Sequence, residues 1–84
     1  MKVDNTTFAV KLPNYLINRI NWYIEKTGVS VIDALRATCR EVTYTGTLWY
    51  KAWYHDDFRE IYPDAYLPEY LDFEKYPLKY KETA

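Results

Sequence analysis

The chain has 84 residues, a formal net charge of −1, one Cys and one His. A single domain of this size buries too small a share of its surface to be robust without a disulfide, a metal or a partner subunit; one Cys and one His supply neither a disulfide nor a zinc ligand set, so a partner polypeptide is expected and no cofactor. No stretch resembles a signal peptide or approaches the ~20 apolar residues of a membrane span, which predicts a cytoplasmic protein with no membrane contact.

Charge divides the chain: residues 1–44 carry six Lys/Arg against four Asp/Glu, and residues 45–84 carry five against eight. In chain order, Thr6-Thr7-Phe8-Ala9-Val10-Lys11-Leu12 alternates, with Phe8, Val10 and Leu12 on one side and Thr7, Ala9 and Lys11 on the other. That is the period of a half-buried strand. No second strand follows, and a lone edge leaves backbone groups unpaired, so the same strand of a second copy is the expected partner.

Pro13 suits the first turn of a helix, and Leu16, Ile17, Ile20, Tyr23 and Ile24 form an apolar stripe at helical spacing. Gly28 suits the left-handed position that ends the helix. Ser30 is the expected N-cap of a second helix, with Asp33 completing an acidic capping box. There Ile32, Leu35, Cys39 and Val42 make the buried stripe, and Arg36 and Arg40 form an exposed row, read as salt-bridged surface rather than a phosphate clamp. Thr43-Tyr44-Thr45-Gly46 is the expected stop.

Residues 47–62 read as a third helix, with Thr47 near its cap and Pro63 beyond its end. Trp49 with Trp53, and Tyr50 with Tyr54 and Phe58, fall at i,i+4 spacing, giving an aromatic face wider than one small neighbour covers. It reads equally as core or as interface. From Pro63 onward, prolines interrupt a Tyr- and Leu-rich run, so a helical turn from Pro68 to about Glu74 is expected within an otherwise extended tail that packs on something. His55, Asp56, Asp57 and Glu60 read as a solvated helix face, because a lone His with adjacent carboxylates lacks convergent metal or acid–base spacing.

The order strand, Leu12-Pro13, helix, Gly28-Val29-Ser30, helix resembles the ribbon-helix-helix family of Arc- and MetJ-type DNA-binding proteins over residues 6–44, about half the chain. The resemblance implies a mainly α homodimer: one short strand and two helices per subunit, an intermolecular antiparallel β-ribbon, and here a third, aromatic helix with an extended tail. Residues 1–46 would be the dimerisation and DNA-binding module, and 47–84 an acidic extension packing on the dimer or on a partner.

The family mode lays the ribbon in the major groove of double-stranded DNA. By that resemblance Thr7, Ala9 and Lys11 would read bases, while Lys2, Ser30 and Val31, at the arm and at the N-terminus of the second helix, would hold phosphates.

Two functions are expected from these features. The first is a homodimeric, sequence-specific transcriptional repressor of viral or mobile-element type, acting in the host cytoplasm if viral. The second is a protein-binding inhibitor, an antitoxin or a viral inhibitor of a host defence complex such as an anti-CRISPR, whose acidic aromatic half covers a basic partner. Its expected interface is Trp49, Trp53, Tyr50, Tyr54, Asp56 and Asp57, since Tyr and Trp supply large contact area. No phosphate loop, paired catalytic carboxylates or Ser/His/Asp set appears, and an enzyme is not expected.

Overall fold

The computed structural model describes residues 2–42 and 45–80. Helix α1 (Asn14–Thr27) follows Pro13, whose carbonyl accepts from the amides of Leu16 and Ile17. It buries Leu16, Ile17, Ile20 and Ile24 and ends at Gly28, the described residue with positive φ (70°). Helix α2 (Val31–Arg40) begins at Ser30, whose side chain accepts from the Asp33 amide at 3.2 Å. Both helices and both boundary residues fall where the pattern places them, because these signals act within one turn of the chain. The expected stop at Thr43-Tyr44-Thr45-Gly46 is not where α2 ends: it closes at Arg40 with Glu41 as its cap, Thr45 and Gly46 belong to the next helix, and Thr43 and Tyr44 lie outside the described residues.

Every residue of α2 from Val31 to Cys39 is buried. This helix is the axis of the molecule: α1, the third helix α3 (Thr45–Trp53) and a 3-10 turn (Pro68–Leu71) all pack on it. Buried charges need internal partners, and Asp33 and Arg36 find them in each other and in the tail, whereas the buried Thr38 hydroxyl of the same helix has none. Arg36 Nη1 donates to Asp33 Oδ1 at 2.8 Å, Nε donates to the Tyr70 carbonyl at 2.6 Å, and Nη2 donates to the Tyr76 carbonyl. Asp33 Oδ2 accepts from the Lys79 amide at 2.8 Å. The rings of Tyr70 and Phe73 flank the guanidinium. Arg36 is therefore 2% exposed, not part of an exposed row.

The ribbon-helix-helix architecture is not what forms. Among the described residues there is no strand and no sheet; an isolated antiparallel bridge joins Val29 to Tyr80. The segment from Thr6 to Leu12 leaves a turn closed by Asp4 and bends through residues 7–10: Thr7 N donates to the Asp4 carbonyl at 3.2 Å, and Thr6 N and Thr6 Oγ1 both donate to Asp4 Oδ1. These bonds hold the Asp4 carboxyl below its usual range. Phe8 and Leu12 are buried, as the alternation requires, but their cover is the chain's own. Phe8 meets Phe58 edge-on at 5.6 Å between centroids. Alternation reports one-sided burial and does not say which chain supplies the other side; here Phe58 of the aromatic half covers Phe8.

The expected helix over 47–62 divides into α3 and α4 (Asp56–Ile61). At the break, Tyr54 N and His55 N donate to the carbonyls of Lys51 and Ala52, a tightened 3-10 ending. The corner turns Phe58 inward, where Trp49 meets it at 6.4 Å, and Trp49 stacks on Tyr70 at 6.0 Å. At the opposite end, Asn21 clamps the N-terminal arm, accepting from Val3 N at 2.7 Å and donating to Val3 O at 2.9 Å.

Candidate protein-interaction surface

The residues expected to read DNA are dispersed in environment. Ala9 and Lys11 are exposed and Thr7 is half-buried, with its hydroxyl accepting from the Asp4 amide. Lys2 is exposed. Ser30 is half-buried and engaged in capping, and Val31 is 8% exposed.

The residues expected at a protein interface separate into two sets. Trp49 is 1% exposed and belongs to the core. Tyr50, Trp53 and Tyr54 gather on the outside of the α3–α4 corner. The i,i+4 spacing brings Tyr50 and Tyr54 to 4.9 Å, with hydroxyls 2.8 Å apart, and just past the end of α3 the Tyr54 ring lies 5.3 Å from that of its neighbour Trp53. The hydrogen bond to Tyr54 raises the Tyr50 pKa.

The row continues across the tail, because Tyr66 tilts against Trp53 at 4.5 Å and the Trp53 indole donates to the Pro63 carbonyl at 3.2 Å. Arg59 lies over Trp53 at 5.5 Å and pairs with Asp56 at 2.9 Å. Tyr50, Tyr54 and Tyr66 remain exposed. Four rings thus form a continuous ladder in which half-buried Trp53 packs on the core and Tyr50, Tyr54 and Tyr66 stay exposed. Such pre-ordering reduces the side-chain entropy lost on binding.

Around the corner, a cleft of about 200 Å³ runs along α4, lined by Thr6, Thr7, Val31, His55, Asp57, Phe58, Ile61 and Tyr62. Its polar end holds His55, whose Nδ1 is buried without a hydrogen-bond partner, and Asp57, which is exposed. Its apolar end holds Ile61, 65% exposed. Burial raises the Tyr62 pKa. Among the described residues no set of three or more His, Cys, Asp or Glu is placed to hold a metal, and no helix is long and apolar enough to cross a membrane.

Tyr66 and the cleft escape a reading based on spacing, since Tyr66 joins the ladder through a tail whose return path has no periodic signal. The one available hint was composition: a tail this aromatic packs on something. Comparisons with models of protein families, with curated proteins and with solved structures find no match for the chain.

Proposed function

We propose that this chain is a protein-binding module that presents the aromatic ladder Tyr50–Tyr54–Trp53–Tyr66, with its acidic flank, to a basic surface of a partner protein and inhibits the partner by occupying that surface. The observation that carries this reading is the ladder itself: three exposed tyrosine rings held in place around half-buried Trp53, in the half of the chain with three excess acidic residues. Aromatic anchors ringed by complementary charge are the usual energetic centre of a protein interface. A basic surface that binds nucleic acid fits the acidic flank, and covering it is the simplest route from binding to inhibition.

The test is site-specific photo-crosslinking in the native cell from position 54, with position 15 on the outer face of α1 as control. A discrete basic partner captured from position 54 alone, and lost on Trp53→Ala, supports the reading. Selective retardation of its own promoter DNA that Lys11→Ala removes, without a crosslink from position 54, overturns it in favour of DNA regulation.

A further inference from the structure

The cleft along α4 lies beside the ladder and has a chemistry of its own. Asp57 and Ile61 are one helical turn apart, about 6 Å along the axis, so the cleft is polar at one end and apolar at the other. Asp57 makes no ion pair among the described residues, because Arg59 pairs with Asp56. His55 Nδ1 is buried and unpartnered, and it accepts a hydrogen bond in the tautomer that carries its proton on Nε2. The cleft thus offers the Asp57 carboxylate and the His55 imidazole nitrogen, and neither Lys nor Arg lines it. Phe58, Ile61 and Tyr62 offer an apolar wall about as long as an aliphatic stem.

We propose that this cleft receives a lysine side chain of the basic partner, its methylenes against Ile61, Phe58 and Tyr62 and its ammonium at Asp57 and His55; the assignment rests on the protein-binding reading above. Three reasons favour lysine. A buried acceptor without a donor is costly, and a ligand that supplies the donor recovers that cost. The ammonium brings three donors on a flexible apolar stem, matching the acceptors present, whereas the planar fork of arginine calls for a bidentate acceptor in its own plane. The volume, about 200 Å³, lies below the range of pockets for larger ligands and suits one side chain.

The experiment is an NMR titration of the ¹⁵N-labelled full chain with the peptide acetyl-Gly-Lys-Gly-amide, alongside its norleucine and arginine counterparts and free pentylamine. Saturable shifts centred on His55–Tyr62, with the lysine peptide at least about fivefold tighter than either counterpart and Asp57→Asn removing that margin, are expected. Equal binding of norleucine makes the cleft a purely apolar slot and overturns the proposal. Tighter binding of pentylamine than of the lysine peptide assigns it to a small amine instead, and absence of saturable shifts also overturns it. Asp57→Asn lies on an exposed position and leaves the fold intact, so loss of binding reads on the site. Failure of the cleft while the position-54 crosslink persists leaves the ladder reading standing; loss of both removes the function as well.

Discussion

Arg36 shows how a single residue decides the route of half the chain. Its guanidinium holds two tail carbonyls and Asp33, and Asp33 in turn holds the Lys79 amide. Removing one partner of a buried pair leaves an uncompensated charge, a loss of about 3–5 kcal/mol. Arg36→Met is expected to destabilise the protein by that order in urea denaturation, and a double-mutant cycle with Asp33→Leu should show strong coupling. Near-additive effects would mean the pair does not act as a unit. Cys39 is the quieter case: burial pushes its thiol up to about 12. It should resist iodoacetamide at pH 8 in the folded protein and react once denatured, because the thiolate is the nucleophile.

At the scale of elements, helices with local signals were legible and those set by tertiary contact were not. Gly28 takes φ 70°, where an added Cβ is strained, so Gly28→Ala should lower stability by about 1 kcal/mol or somewhat more. Ser30 is equally local. The break between α3 and α4 was hidden because Tyr50, Tyr54 and Phe58 satisfy a continuous i,i+4 period, although Phe58 is buried and the two tyrosines are exposed. The exposed look of Arg36 came from reading charge as surface, a rule that fails when a tail supplies carbonyl partners.

The α1–α2 junction adds a pH dependence. Arg19 donates to both Glu41 oxygens at 3.0 Å, which holds the Glu41 carboxyl below its ordinary 4.5. A depressed folded pKa contributes stability above the unfolded value, and that contribution is lost as pH falls through the folded one. Wild-type midpoint temperatures should therefore fall from just above pH 4.5 downward, slightly more than those of Glu41→Gln; both partners are about two-fifths exposed, so the difference is small.

At the scale of the molecule, the question is whether 84 residues close a core without a second copy. The radius of gyration is 11.8 Å, the value of about 12 Å for a compact chain of this length. Phe8 is 4% exposed against the chain's own Phe58, so the N-terminal segment uses up the apolar face that a dimer ribbon would share. Phe8→Ala should then cost about 3–5 kcal/mol, read in urea. The transition should not depend on protein concentration, because unfolding releases one chain and mass action is absent. A dimer core would behave otherwise, its midpoint rising as concentration is raised from micromolar to millimolar. Sedimentation equilibrium over the same range decides between the two: a single monomeric species is expected, and a mass that doubles with concentration while Phe8→Ala returns it to monomer would place Phe8 between subunits.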